Sequence, residues 1–124
     1  MTKSILYDHT DLSLGLSRKL ADGITTRIFS GDNVMLSLVT LEAGSIVPEH
    51  YHPEEQWGYL LEGDLILIQD GEEIQIKEGD FWQTPSNAPH AFRTGPRGAK
   101  TIDIFSPPRE EYKKPGEGFG GGNS

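Results

Sequence analysis

The chain contains no cysteine, which excludes disulfides and every metal site built on thiolate. Its apolar runs are short, and none approaches the ~20 residues that a membrane-spanning helix needs. The first twenty residues hold neither a long apolar core nor a small-residue cleavage site, so they do not read as a signal peptide. No membrane partner is expected, and the cytoplasm is the expected location. Positive charge is scarce: 11 Lys and Arg stand against 19 Asp and Glu, a formal net charge of -8. Phosphate backbones are held by clustered cations, so no nucleic-acid partner is expected either. A small acidic ligand remains compatible, provided a metal or a placed Arg supplies local positive charge against the overall field. Histidine is rare as well, four residues in all, and two of the four lie two apart.

What the sequence does have is turn residues. Gly 15 and Pro 8 in 124 residues point to many short strands in a single domain. Runs such as "ITTRIF" (24–29), "VMLSLVTL" (34–41), "QWGYLL" (56–61), "LILIQ" (65–69), "EIQIK" (73–77), "HAFRT" (90–94) and "KTIDIF" (100–105) alternate or carry β-branched and apolar residues between turn signals. With "SIVPEH" and "FWQT" they make roughly nine strands and no long helix. The Asp70-Gly71 pair is a tight-hairpin signal. Residues 1–20 read as an N-terminal arm or short strand, 21–112 as the folded domain, and 113–124, "KKPGEGFGGGNS", as a flexible tail without packing capacity. An all-β sandwich or barrel is the expected class.

His50 and His52 are i and i+2, so on a strand they share a face. A lone histidine is usually a packed or surface residue. Here Gly44 precedes His50 by six, Gln56 follows His52 by four, and Gly63 follows Gln56 by seven; later come Gly79, Pro85 and His90. These positions resemble the two motifs of the cupin superfamily, G-x5-H-x-H-x3-E-x6-G and G-x5-P-x-G-x2-H-x3-N. Gln56 stands in place of the Glu, Asn87 in place of a glycine, and Thr94 in place of the final Asn. Asn accepts left-handed backbone better than most residues. The resemblance implies a cupin double-stranded β-helix, a jelly-roll barrel. It also implies one divalent transition metal (Zn, Ni, Fe or Mn) held by His50, His52, Gln56 and His90. Imidazole ligands do not name the metal. A Gln ligand contributes a carbonyl oxygen and no charge, leaving the ion strongly electrophilic and favouring acid–base over oxygen chemistry.

In "TIDIFSPPREEY" (101–112) the isoleucines face one way and Thr101, Asp103 and Phe105 the other. Periodicity leaves open which set faces inward. The run D-x-F-S-P-x-R-E, together with H-x-H-x3-Q, resembles the small KdgF-type cupins of pectin and alginate breakdown. Those proteins convert 4,5-unsaturated monouronates into the linear 4-deoxy-5-keto uronate. The resemblance implies an inward Asp103 as proton carrier, Arg109 as a catalytic and carboxylate-binding group, and Phe105 as a substrate contact. A small anionic sugar acid would be the substrate. A neighbouring cation is expected to depress the Asp103 pKa. The bland alternative for Arg109 is an exposed pair with Glu110 or Glu111. Tyr59 and Phe92 are further candidate substrate contacts; Trp57 and Trp82 are expected in the barrel wall, and His9 on the surface.

Other readings weighed are a metal cupin acting on another small molecule (polyketide-cyclase-like, lyase or dioxygenase) and a non-catalytic binding cupin. An outward isoleucine face on the last strand would suit a homodimer.

Overall fold

The computed structural model describes residues 3–120. Eight strands follow one another: β1 (Leu16–Ala21), β2 (Ile24–Ser30), β3 (Met35–Leu41), β4 (Ile46–His50), β5 (Glu55–Gln69), β6 (Glu72–Ile76), β7 (Phe81–Thr84) and β8 (His90–Ser106). A 3₁₀ turn, Glu110–Lys113, comes after them. Among the described residues no helix is long and apolar enough to cross a membrane.

All strand pairs are antiparallel. The ladder runs β1-β2-β3-β8-β5-β6, with β4 added on β8 and β7 on β5. Its end strands, β1 and β6, do not pair. The expected double-stranded β-helix or jelly-roll barrel is therefore corrected: the fold is all-β and strand-rich, but the sheet is open and not closed into a barrel. The free edge of β1 is occupied in part. Lys19 bridges Glu117 of the tail, and the Gly118 N–H donates to the Lys19 carbonyl at 2.9 Å. This contact covers the β1 edge at Lys19, one point of an edge that is otherwise open to another strand.

The expected count of roughly nine strands becomes eight. Two pairs of runs fuse into the long strands β5 and β8, and a new strand, β1, appears in the N-terminal arm. β5 and β8 pair with each other along nearly their whole length, with register shifts between Leu60 and Glu62 and between Gly63 and Leu65. Each shift re-aims the side chains. In β5 the buried positions are Gln56, Gly58 and Leu60 before the shift, Gly63 at the bend, and Leu65 and Leu67 after it. In β8 they are His90, Phe92 and Thr94, Gly98 at the bend, then Ala99, Thr101 and Phe105. The inward parity thus changes from even to odd in both strands. Gly63 stands at this bend with φ +104, and a Cβ there would lie 2.0 Å from the Gly98 carbonyl oxygen. Only glycine permits both the backbone and the approach.

The β5–β6 hairpin closes on Asp70 and Gly71, both at positive φ (51 and 76). Gln69 pairs directly with Glu72 across it, the two-residue turn the Asp-Gly signal implies. One buried cluster gathers Ile24 and Ile28 of β2, Met35 and Val39 of β3, and Leu60 and Leu65 of β5 with apolar residues of the other strands. The polar site residues line one cavity with members of this cluster.

Candidate metal centre and active site

His50 ends β4 and lies opposite His90, which opens β8. His52 sits in the loop after β4, and Gln56 is on β5 opposite Phe105. The two loops that carry the histidines are tied together, since the Asn87 N–H donates to the His52 carbonyl at 2.8 Å. Asn87 has φ 63, the left-handed backbone expected where the motif has a glycine. Thr94 is not near the ligands in function. Its hydroxyl donates to Glu42 O at 2.8 Å and accepts from Ser45 N, holding the start of β4 to β8.

All three histidines are buried, and one ligand nitrogen from each lies within 4.8 Å of the others. Their orientation has one repeated cause. Each Nδ1 meets a backbone carbonyl: Pro48 for His50 (2.9 Å), Glu54 for His52 (3.0 Å) and Ala88 for His90 (2.8 Å). A carbonyl oxygen only accepts, so Nδ1 carries the proton and Nε2 keeps its lone pair. Such Nδ1 bonds are the usual partners of metal-binding imidazoles.

Two observations test whether this set fits a metal. His90 Nε2 is buried with no hydrogen-bond partner among the described residues. His52 Nε2 faces Gln56 Oε1 at 3.1 Å, so two acceptor lone pairs point at one another. A cation in contact with both reconciles them and takes up the His90 nitrogen. The three imidazoles and the Gln56 carbonyl fit a divalent transition metal. Their charge state agrees. Burial first, and then the neighbouring cationic or imidazole groups, push His50 and His52 down to about 4. Burial also lowers His90. Neutral imidazoles at neutral pH are the ligating form.

His50, His90 and Gln56 open onto a cavity of about 40 Å³, whose wall includes Asp103, Phe105, Phe92 and Arg109. Of the two possible orientations of the last strand, Thr101, Asp103 and Phe105 face in. Asp103 keeps some surface open to the cavity while protein packs round its carboxyl. Its pKa is not depressed, as expected from a nearby cation, but pushed up to about 7. Burial is the larger effect, and the Thr101 hydrogen bond and Arg109 offset only part of it.

Arg109 is buried, not in an exposed pair with Glu110 or Glu111. Its Nε lies 3.8 Å from Glu54 Oε1. Its guanidinium stacks over Tyr112 at 4.1 Å and over Phe105 at 5.3 Å. Glu54 also approaches His52 Nδ1, at 3.6 Å, so one carboxylate links the arginine to the ligand set.

Tyr59 is a correction. It is 40% exposed and points away from the cavity, because Gln56 faces inward and position 59 falls on the opposite face of the strand. Trp57 is exposed too, its indole N–H on Glu55 Oε2 at 2.7 Å. Trp82, expected in a barrel wall, lines the cavity instead. It rests against Phe92, ring centroids 5.7 Å apart.

Residues 113–120 of the tail are a second correction: they pack, while 121–124 lie outside the described residues. Phe119 lines the cavity, its ring 5.1 Å from that of His50, and its carbonyl accepts from Arg109 Nη2. The buried Arg18 of β1 donates to the carbonyls of Glu111, Glu117 and Gly118. Neither Arg18 nor Phe119 was among the expected site residues.

The sequence match follows this geometry. The cupin domain model covers residues 37–105, more than half of the chain and the stretch from Ser37 to Phe105 that builds most of the cavity. The chain belongs to the cupin family. Within that family it is related to KdgF-type proteins. It is 30% identical over 96 residues to the pectin degradation protein KdgF of Dickeya dadantii, covering 76% of this chain and 87% of that one. The solved structure of KdgF from a Halomonas species superposes with a TM-score of 0.76 at 24% identity, covering 89% of this chain and 98% of that chain; it supports the fold. The quercetin 2,3-dioxygenase of Bacillus subtilis is 34% identical over 65 residues, but this cupin spans only 19% of its length.

Proposed function

We propose that this cupin is a metal-dependent enzyme that opens 4,5-unsaturated monouronates, the products of pectin or alginate lyases, to the linear 4-deoxy-5-keto uronate. The observation that carries this reading is Asp103. It is a carboxyl with a pKa raised to about 7, in the same cavity as His50, His90 and the buried Arg109, with His52 converging on the same histidine set. A group poised near neutrality can both take and return a proton. Kinship with a KdgF-type pectin degradation protein supports the choice of substrate class.

The reaction is an isomerisation, so its atoms balance without a co-reactant. The proton on the C1 hydroxyl leaves, the C1–O5 bond breaks, and C1 becomes an aldehyde. O5 becomes an enolate oxygen on C5, and C4 then gains a proton as the enolate becomes a ketone. Asp103 takes the first proton and delivers the last. Arg109 holds the substrate carboxylate in a two-pronged contact that a planar guanidinium suits. Phe105 and Phe92 form the apolar wall behind the ring. His50, His52, Gln56 and His90 would hold a divalent metal, which would supply Lewis-acid positive charge to the site.

The test is to incubate metal-loaded protein with freshly made 4,5-unsaturated galacturonate and follow loss of the enol absorbance. The reading predicts a rate well above the spontaneous one. A rate equal to the spontaneous one, with metal bound, rejects it.

A further inference from the structure

The cavity of about 40 Å³ is far smaller than sites for small organic ligands, which run to about 300 Å³ or more. The chain's own C-terminal segment takes part of this space. Phe119 sits beside His50, and its carbonyl occupies Arg109. The same arginine is the only buried cation that the Proposed function assigns to the substrate carboxylate.

We propose that Glu117–Gly120 is a displaceable strap that stands in for the ligand at Arg109 and beside His50, and that Arg18 is the positioning residue that seats it. The geometry separates the two roles. Arg18 holds the strap through the carbonyls of Glu117 and Gly118, at 2.9 Å each, and is itself fixed by Glu111 O and by the Tyr112 ring, 4.8 Å from its guanidinium carbon. The bridge between Lys19 and Glu117 adds a backbone contact. Nearer the cavity, the strap offers Arg109 only a neutral carbonyl. A carboxylate adds its own charge and can take both prongs of the guanidinium, a stronger contact than one carbonyl makes, so an anionic ligand is the kind that dislodges the strap, and a neutral one is held out. The strap thus selects for charge at the cavity mouth. This selection rests on the uronate reading; the strap's control of access does not.

The test uses the full chain. Lys19→Cys with Glu117→Cys places a disulfide across the existing bridge, in a protein with no other cysteine. Adjacent strands bring Cα atoms within the range a disulfide accepts. Uptake of Co²⁺ by the metal-free protein is followed by its visible absorption, in the oxidised form and in the form reduced and alkylated. The strap predicts uptake about tenfold slower when oxidised, the factor that goes with one charge-assisted hydrogen bond. It predicts faster uptake than wild type in Phe119→Ala. Equal uptake in the oxidised and the alkylated forms overturns the proposal. Binding of galacturonate and of its methyl ester is measured on the same proteins. Acid preferred over ester in wild type, with the preference narrowed in Phe119→Ala, supports the selection by charge. Galacturonate that binds no form, while Co²⁺ uptake still responds to the lock, rejects the uronate reading and leaves the strap standing.

Discussion

The indole of Trp82 fills the space in front of Gly58: a Cβ on residue 58 would stand 2.2 Å from the ring. Gly58 pairs with Trp82 on one side and with Asp103 on the other. The absence of a side chain on β5 therefore lets the aromatic ring lie in the cavity in the row of the Asp103 carboxyl. Gly58→Ala forces the indole out of place. It is expected to cost ~1–3 kcal/mol, as overpacking does, read from the urea midpoint. It should also lower activity, because Trp82 lines the cavity.

One divalent ion per chain is the expected metal content of the purified protein, measured by elemental analysis. His50→Ala and His90→Ala should lose it, while their folds persist by circular dichroism. Metal should also raise the thermal midpoint of wild type, since a ligand that binds only the folded chain at 100 times its Kd adds about 2.7 kcal/mol. Removal with a chelator should return that gain and abolish turnover.

Gln56→Glu separates metal binding from electrophilicity. The carboxylate fills the same position and keeps the ion, but it cancels one unit of its charge. Retained metal with turnover slowed about tenfold or more is the expected result, equivalent to a barrier raised by ~1.4 kcal/mol. Unchanged turnover would mean that the neutral amide has no electrostatic role.

Much of this site is legible in the sequence, for physical reasons. His50, His52, Gln56 and His90 stand out because their spacing along strands and turns is fixed by backbone geometry, and the structure brings them together. Tyr59 was legible too: with Gln56 inward, a period of two places residue 59 outward, where it lies. Trp82 had a signal in Gly58, because a glycine inside a strand marks a close approach. β1 had none, since its inward positions include Arg18, and a charged residue hides the alternation. The strap was hidden for a related reason. It docks by backbone carbonyls, which side-chain composition does not show. Closure was overread, because strand number and spacing do not say whether the end strands β1 and β6 pair. The Asp103 pKa went the other way because burial outweighs Arg109.

The metal-free protein should lose stability as it is acidified through the histidine range. His50 and His52 titrate near 4 when folded against 6.5 as free side chains, and His90 is shifted in the same direction. The unfolded chain therefore binds more protons between pH 6.5 and 4, and stability falls as pH falls through that window. Asp103 acts in the opposite sense. Its folded pKa of about 7 lies above the free value of 3.8; its contribution is full below 3.8 and is lost as pH rises through 7. Asp103→Asn should therefore steepen the loss between pH 6.5 and 4, as read from urea midpoints at stepped pH. A profile identical to wild type would show that Asp103 is not a buried acid.

The most direct test of the central claim, that Asp103 carries the proton in a metal-dependent ring opening, is the reaction run in D₂O. Metal-loaded wild type and Asp103→Asn are each given 4,5-unsaturated galacturonate, and the product is read by NMR at C4. The account predicts one deuterium at C4 in a single configuration for wild type, formed faster than the spontaneous reaction, with both the speed and the single configuration lost in Asp103→Asn. An equal mixture of configurations from wild type, or a fast and stereospecific Asp103→Asn, would contradict it.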